Sequence, residues 1–243
     1  MPNKKEFIAK RVAKFFYPGD VVNLGIGIPT LVGKYIPEGV FLHAENGAVG
    51  YGPRPEAGKD DPDFINASAQ FVTLLPGASC FDSATSFAIV RGGHLDATVL
   101  GILQVDQKGN LANWTMPGRA VGMGGAMDLV SGARRVIVCG EHTAKGDQPK
   151  ILKQCTMPLT GAGVVDYIVT DLCVIEVTEE GLVVREIAPG VTADEIKSKT
   201  EADLIFPEQI LVMGAENKDP VGIPQPANVE RVKVELAATD GKA

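Results

Sequence analysis

The chain has 243 residues, of which 45% are hydrophobic and 22% are charged. These proportions are typical of a globular protein with its own hydrophobic core, and the length allows one large domain or two small ones. Acidic residues outnumber basic ones by 30 to 23, which gives a net charge of −7. This balance argues against a dedicated nucleic-acid-binding protein, because affinity for a duplex depends on basic side chains that neutralise phosphates. No apolar run approaches the roughly 18 residues of a membrane span.

The cysteines and histidines give no sign of a metal site. The four cysteines form no C-x-x-C pair, and the three histidines are widely spaced along the chain. The N-terminus is basic but lacks the continuous apolar segment of a secretory signal. We therefore expect a cytoplasmic protein with reduced cysteines and no bound metal.

The first predicted elements follow the order helix, strand, glycine loop, helix, strand. An amphipathic helix over about residues 4–16 ends at the turn signal Pro18-Gly19-Asp20. A short buried strand over 21–24 then enters a glycine-containing loop, and Pro29 suits the first turn of a helix that reaches Tyr35. A second strand follows over 41–44. This order is typical of a parallel βαβ unit.

The remaining elements continue the α/β pattern up to about residue 205. Asp82 can cap a helix that Gly92-Gly93 ends, and Thr192 can cap another helix near 193–203. Further strands are predicted over 71–75, 97–103, 135–139 and 167–170, with a hairpin formed by 172–177 and 182–187. The overall prediction is an α/β protein: a single domain over 1–205 with an open, mostly parallel sheet and flanking helices. Residues 206–243 are predicted to form a tail that is partly disordered or packed on a partner.

Glu45 follows the predicted strand 41–44 directly and begins a glycine-rich loop. It lies about 20 residues after Gly25 and Gly27, which is the spacing of a dinucleotide site, where glycines contact the pyrophosphate and an acid binds the ribose. Thr30, however, stands where the third glycine of that motif is required. A nicotinamide- or nucleotide-binding enzyme of Rossmann type is therefore one alternative, and a tight turn between strand and helix is another.

A second glycine-rich loop precedes the segment 126–130. Glycine lets a backbone approach a ligand closely, and a helix that begins after Gly124 and Gly125 would offer N–H groups to an anion or an oxyanion. A flexible loop without function is the alternative. Asn113 lies upstream, where its amide can form hydrogen bonds at a pocket.

The catalytic motifs that the chain lacks narrow the choice of nucleophile. It has neither a G-x-x-x-x-G-K-[ST] phosphate loop nor a G-x-S-x-G nucleophile elbow, and no histidine lies beside a serine or cysteine in a recognised motif. A carboxylate is then the best available nucleophile, and Glu45 is the best placed. The alternative is a solvated glutamate at the end of a strand.

Seven segments together give the chain a specific resemblance. They are, in order, VVNLGIGIPT, ENG, LPGASCFDSATSF, VRGGHLD, LGILQVDQKGNLANW, GMGGAMDLV and KILKQCTMPLT. In these segments the chain resembles the β subunit of class I CoA-transferases, the family of succinyl-CoA:3-ketoacid, acetate:acetoacetyl-CoA and butyrate:acetoacetate CoA-transferases. The resemblance covers about residues 5–205 and implies the CoA-transferase (NagB-like) fold.

The resemblance implies roles for particular residues. Glu45 matches the catalytic glutamate of the family's S-E-N-G motif, although Ala44 replaces the serine. In the family, this glutamate exchanges CoA by ping-pong catalysis through a glutamyl-CoA thioester. The resemblance also implies an oxyanion or CoA-binding role for two glycines of the second loop, Gly124 and Gly125. It implies a substrate-binding role for Asn46, Gly25, Gly27 and Asn113.

The resemblance also implies the substrates and partners. They are an acyl-CoA with a short-chain or 3-oxoacyl group, a free carboxylic acid, and an α subunit in an α2β2 heterotetramer or a larger assembly. CoA would be a substrate, with no cofactor or metal required, and no nucleic acid or membrane would be bound. A non-catalytic regulatory or sugar-phosphate-binding domain on the same fold is a third interpretation. The motifs leave open which acids of short-chain fatty acid or ketone body metabolism are exchanged.

Overall fold

The computed structural model describes residues 3–115, residue 118 and residues 122–214. The helices of this part of the chain are α1 (Lys4–Ala13), α2 (Ile28–Val32), α3 (Ser83–Arg91), α4 (Ala126–Gly132) and α5 (Ala193–Ser198). The strands of the first half are β1 (Val21–Leu24), β2 (Phe41–Ala44), β3 (Ala48–Tyr51), β4 (Leu74–Cys80), β5 (Ala97–Gly101), β6 (Gln104–Asp106) and β7 (Leu111–Ala112). Those of the second half are β8 (Val136–Cys139), β9 (Ile151–Leu152), β10 (Tyr167–Val169), β11 (Cys173–Thr178), β12 (Gly181–Ile187), β13 (Leu204–Ile205) and β14 (Leu211–Val212).

One open sheet holds 11 of these strands, in the order β13-β12-β11-β10-β8-β5-β1-β2-β3-β4, with β14 also paired to β12. Its centre, from β10 to β2, is parallel, whereas β11–β12 and β3–β4 extend it antiparallel at the two sides. Strands β7, β6 and β9 form a separate small sheet. The predicted α/β class, with an open and mostly parallel sheet, is confirmed.

The central strands are apolar because both of their faces are covered, as is usual in parallel sheets. Successive side chains of a strand point to opposite faces. Accordingly, Ile137 of β8 belongs to an apolar cluster that includes Ile8 and Val12 of α1, whereas Val136 and Val138 belong to a second cluster that includes Leu129 of α4. The sheet therefore lies between two layers of helices, which hold the ends of its parallel strands in place.

A buried ion pair ties α1 to the sheet. The guanidinium of Arg11 donates from Nε to Oε2 of Glu186 at 2.6 Å and from Nη2 to Oε1 at 2.5 Å. Both residues are about 5% exposed or less, and the guanidinium also lies over the ring of Phe15. Because each charge has lost its hydration, each depends on the other, and neither is tolerated alone at this position.

Several predicted segments differ from the structure. The strand expected over 71–75 is wrong, since Phe71 forms only an isolated bridge to Ile65 and the strand begins at Leu74. Pro76 and Gly77 have a low propensity for strands, so the sequence disfavours a strand over 74–80. However, β4 lies at the edge of the sheet, where such residues are tolerated. Helices α1, α2 and α5 are also shorter than expected, ending at Ala13, Val32 and Ser198, and strand β5 ends at Gly101.

The first part of the predicted tail lies on the domain, because β14 pairs with β12. Residues 215–243 of that tail lie outside the described residues. Within the described ranges, no helix is both long enough and apolar enough to cross a membrane.

Candidate active site

Glu45 lies where the carboxyl ends of the central parallel strands meet. It follows β2, Gly25 follows the neighbouring strand β1, and Gly101 ends β5 on the other side of β1. In open α/β sheets, ligands usually bind outside this edge. Here it carries a cavity of about 420 Å³, whose lining includes Glu45, Gly25, Gly101 and residues of the second glycine loop.

The turn from β2 to β3 fixes Glu45 at this edge. The two strands are antiparallel neighbours, with Ala44 opposite Ala48, and the N–H of Gly47 donates to the carbonyl of Ala44 at 2.9 Å. Gly47 has a φ of +128°, and a Cβ atom there would lie 2.0 Å from the carbonyl oxygen of Phe81. Only glycine fits this position, which explains why a glycine follows so soon after the glutamate.

A row of buried polar side chains supports Glu45 from inside the sheet. Asn23 of β1 is in register with His43 of β2 on one side and with Thr98 of β5 on the other. The amide of Asn23 donates to Oε2 of Glu45 at 3.4 Å and lies 3.3 Å from Nδ1 of His43. Thr98 donates its hydroxyl proton to the amide oxygen at 3.4 Å, which keeps the NH₂ group turned toward Glu45.

The protonation of His43 agrees with this arrangement. Burial lowers the pKa of His43 to about 4, so its ring is neutral near pH 7. With Nδ1 accepting from Asn23, the proton is on Nε2, which lies 3.0 Å from the hydroxyl of Ser86 on α3. Every polar group of the row from Ser86 to Glu45 therefore has a partner, as buried polar groups require.

The carboxyl group of Glu45 is partly removed from water. Burial raises its pKa above the ordinary glutamate value, and the hydrogen bond from Asn23 acts in the opposite direction. Nearby, burial and then the charge of Glu45 raise the pKa of Tyr51 to about 12. A carboxylate in such surroundings is poorly hydrated, which increases both its basicity and its capacity to act as a nucleophile.

The second glycine loop lies directly against this carboxylate. Gly125 is the residue before α4, and a Cβ atom on it would lie 3.3 Å from Oε1 of Glu45 and 2.8 Å from the ring of Phe87. The neighbouring Gly124 has a φ of +55°, a conformation that residues with side chains rarely adopt. The absence of side chains at Gly124 and Gly125 thus lets the backbone come close to the carboxylate of Glu45.

The structure brings five of the seven predicted site residues to one cavity. They are Glu45, Gly25, Asn113, Gly124 and Gly125. Asn113 lines the cavity, although its amide already donates to the carbonyl of Gly101 at 3.0 Å and accepts from Thr160 at 2.6 Å. The amide of Asn113 therefore already has hydrogen-bond partners, and its main contribution is to hold this wall of the cavity in place.

The other two predicted residues lie elsewhere. The amide of Asn46 donates to the carbonyl of Ile65 at 2.8 Å, and Asn46 does not line the cavity. Gly27 lines a neighbouring cavity instead. These positions give Asn46 a structural contact and separate Gly27 from the surroundings of Glu45.

The residues that support Glu45 were not predicted from the sequence; they are Asn23, His43, Thr98, Ser86 and Phe87. One signal was available for the first two: a polar residue interrupts the short apolar strands VVNL and FLHA. A polar side chain inside a buried strand requires a partner, so each interruption predicted a buried contact. The identity of that partner depended on strand order, which the sequence patterns did not supply.

The fold places the chain among proteins built like acyl-CoA transferases. An acyl-CoA transferase apoenzyme from Escherichia coli O157:H7 is similar with a TM-score of 0.71 and 23% identity, over 88% of this chain and 44% of that one. The chain thus spans less than half of that longer protein. At this level of identity the similarity concerns the fold alone.

Sequence similarity is much closer. The beta subunit of acetate CoA-transferase from Escherichia coli K12 is 52% identical over 201 residues, covering 82% of this chain and 92% of that protein. One subunit of the probable succinyl-CoA:3-ketoacid coenzyme A transferase from Bacillus subtilis is 46% identical over 214 residues, covering 87% and 99%. The family described as Coenzyme A transferase matches residues 5–199. The chain belongs to this family.

This result agrees with the resemblance inferred from the motifs and does not favour the Rossmann-type alternative. In the structure, Thr30 also stabilises the loop, because its hydroxyl donates to the carbonyl of Gly25 at 2.8 Å. The residue that interrupts the nucleotide motif therefore holds the first glycine loop closed on itself.

Proposed function

We propose that this chain is the β subunit of a CoA-transferase in which Glu45 forms a covalent glutamyl-CoA thioester. Family membership supports the reaction class. The lining of the cavity supports Glu45 as the nucleophile. Glu45 is the only charged residue among the described lining residues, and glycine backbone faces it. No other side chain described there offers a comparable nucleophile.

The proposed reaction proceeds by two exchanges at one carboxylate. The Glu45 carboxylate attacks the carbonyl carbon of the acyl-CoA thioester, and the C–S bond breaks to give an acyl–glutamyl anhydride and CoA thiolate. The thiolate then attacks the glutamyl carbonyl and releases the first carboxylate product, leaving glutamyl-CoA. The acceptor acid reverses these steps, so the kinetics are ping-pong. Donor, enzyme and acceptor are all carboxylates, and the exchange is close to balanced in energy.

The surroundings of Glu45 suit both half-reactions. Asn23 donates to the ionised carboxylate, which keeps it oriented toward the cavity while burial weakens its hydration. The backbone N–H of Gly125 is the proposed donor to the oxyanion of each tetrahedral intermediate, where a single donor is usually worth about 10²–10³ in rate. Apolar side chains of the lining, including Leu100 and Leu129, would limit the access of water to the anhydride.

An α subunit is the proposed partner and would close the open side of the cavity. Both bacterial relatives are named as single subunits of their enzymes, which supports a heteromeric enzyme, α2β2 or larger. Their names also support CoA as the group transferred and short-chain or 3-oxo acids as its donors and acceptors. We propose that the reaction needs no separate cofactor. The four cysteines are all free, which agrees with the reducing cytoplasm as the proposed location.

Trapping the intermediate tests this proposal. The chain is co-expressed with its α subunit, the complex is incubated with an acyl-CoA, and borohydride is added. Reduction of a glutamyl thioester to the alcohol lowers the mass of the Glu45 peptide by about 14 Da. A Glu45→Gln complex treated in the same way is the control and should show no such change. CoA exchange with an unmodified Glu45 peptide would show that the nucleophile lies elsewhere.

A further inference from the structure

Helix α3 contacts both halves of the proposed catalytic site through two adjacent residues. The hydroxyl of Ser86, which is fully buried, lies 3.0 Å from Nε2 of His43, in the row of side chains that ends at Glu45. The ring of Phe87 instead lies against the second glycine loop, since its Cζ and Cε1 atoms would be 2.8 and 2.9 Å from a Cβ atom on Gly125. One helix therefore connects the carboxylate to the loop that faces it.

The turn that carries Glu45 is also bound to the start of α3. The N–H of Phe81 donates to the carbonyl of Gly47 at 2.9 Å, and a Cβ on Gly47 would lie 2.0 Å from the carbonyl oxygen of Phe81. Asp82 then begins the helix, because its carboxylate accepts from the N–H of Thr85 at 2.7 Å. The Glu45 side of the site is thus connected to α3 at two points, through this turn and through the buried row.

Helix α4 packs closely against α3 because glycines lie at both of its ends. Gly125 precedes α4 and faces Phe87, whereas Gly132 is the last residue of α4, where a Cβ would lie 2.1 Å from the carbonyl oxygen of Val90 on α3. A side chain at either place would force the two helices apart. The position of the Gly125 backbone is therefore determined by the residues that α3 presents to it.

One exposed ion pair joins the same two helices. Nε of Arg91 on α3 donates to Oδ1 of Asp128 on α4 at 2.7 Å, and the guanidinium lies 5.6 Å from the centre of the Phe87 ring. The side chain of Arg91 is 65% exposed, so the pair is screened by water and contributes little stability by itself. The ring of Phe87 is therefore the main spacer between α3 and the glycine loop.

We propose that Phe87 is a positioning residue for CoA transfer, and that its ring sets the distance between the Gly125 backbone and the carboxylate of Glu45. This inference rests on the proposed function. Outside the adjoining residues, the three atoms nearest to the place of a Cβ on Gly125 are two ring atoms of Phe87 and Oε1 of Glu45, the last at 3.3 Å. Phe87 does not line the cavity of Glu45, so it acts on the reaction only through Gly125. An error of about 1 Å in such a distance can lower a rate about 100-fold.

The test measures how fast Glu45 takes up CoA in the complex of this chain with its α subunit. Acetyl-CoA is added at several concentrations, the reaction is stopped with acid at timed intervals, and mass spectrometry gives the fraction of the Glu45 peptide that carries CoA. These data yield a maximal rate and a half-saturating concentration. Phe87→Leu should lower the maximal rate by about 10- to 100-fold and leave the half-saturating concentration unchanged, because the ring does not reach the cavity.

A size exchange separates positioning from a merely structural role. Gly125→Ala alone places a methyl group against Cζ and Cε1 of Phe87, and leucine lacks both of these atoms. The double variant Phe87→Leu with Gly125→Ala should therefore be at least about 10-fold faster than the product of the two single losses. Two independent structural defects would multiply instead, and that result would overturn the proposal.

Phe206→Leu is the matched control. Phe206 is also a partly buried ring beside a cation, with the ammonium of Lys197 at 4.9 Å from its centre, but it does not line the cavity. The control should leave both kinetic constants unchanged. A Phe87→Leu complex with the wild-type maximal rate, or one in which only the half-saturating concentration changes, would overturn the proposal. A wild-type complex that transfers CoA without any CoA on Glu45 would instead refute the proposed function itself.

Discussion

Gly125 lies against the carboxylate of Glu45, although the two residues are far apart in the sequence. A Cβ atom on Gly125 would lie 3.3 Å from Oε1 of Glu45 and 2.8 Å from the ring of Phe87. A side chain there would push on both groups. The contact therefore joins the two glycine-rich loops of the sequence into one site and makes Gly125 sensitive to the smallest enlargement.

Gly125→Ala should reduce the rate of CoA transfer by about 10- to 100-fold, because the added methyl would displace the proposed donor backbone from the oxyanion. Overpacking against Phe87 should also cost about 1–3 kcal/mol of stability. Gly122→Ala is the comparison, since a Cβ at Gly122 meets nothing within 4 Å. Steady-state kinetics and urea unfolding measure the two effects, and similar losses in both variants would contradict this account of Gly125. Gly125→Pro should be worse than Gly125→Ala.

Glu45→Asp should lose roughly 100-fold or more in kcat, because the shorter side chain withdraws the carboxylate by about 1 Å from the reacting carbonyl. The fold should be unaffected, as judged by Tm and circular dichroism. The same change at the exposed residue Glu201 serves as the control and should leave kcat unaltered. An aspartate enzyme with more than a tenth of the wild-type rate would argue that the position of this carboxylate is not critical.

Asn23→Leu should move the acidic limb of the pH–rate profile to higher pH. In the proposed mechanism Glu45 must be ionised to attack, so activity should be lost as the pH falls through its pKa. The hydrogen bond from Asn23 keeps that pKa from rising further. The variant should also lose about 1–3 kcal/mol of stability, because His43 and Thr98 each lose a buried partner. Thr98→Val, which leaves the Asn23 amide in place, should shift the limb less. An unchanged limb in Asn23→Leu would refute the role assigned to this amide.

Glu45→Gln should abolish transfer and yet stabilise the protein near pH 7. Because burial raises the folded-state pKa of Glu45, the protonated form is favoured in the fold, and this contribution to stability is lost as the pH rises through the raised pKa. Glutamine removes that penalty. Thermal unfolding at pH 4 and pH 7 should therefore show a gain in Tm for the variant at pH 7 and a smaller difference at pH 4. A loss of stability at pH 7 would show that the interactions of the ionised carboxylate offset the cost of its burial.

Glu186→Ala should destabilise the chain by about 3–5 kcal/mol, because it leaves the guanidinium of Arg11 buried without its partner. The double change Arg11→Met with Glu186→Leu should recover most of this loss. Glu56→Ala is the control, as its ion pair with Lys59 has side chains 72% exposed or more and should be worth no more than about 1 kcal/mol. Urea unfolding measures all three, and equal effects for the buried and the exposed pair would contradict the prediction.

Local sequence signals predicted much of the fold. Strands 21–24 and 41–44 and the helix between Asp82 and Gly92 were located from apolar runs, a capping side chain and glycine stops, all of which act within a few residues. The position of strand β4 was predicted wrongly, because its sequence LLPGASC has no local preference for a strand. Its conformation comes from pairing with β3.

Glu45 could be chosen from the sequence because its motif lies in one continuous stretch, and Gly125 because the second loop does as well. The sequence by itself thus determined the class of fold, the family and the candidate nucleophile. Only the tertiary structure decided that Asn23, His43 and Thr98 form one row across three strands, and that Gly125 lies beside Glu45 while the Asn46 amide binds the carbonyl of Ile65. The physical reason is that these relations depend on the order and register of strands distant in the chain, and hydrogen bonds between such strands leave no mark on the local pattern of residues.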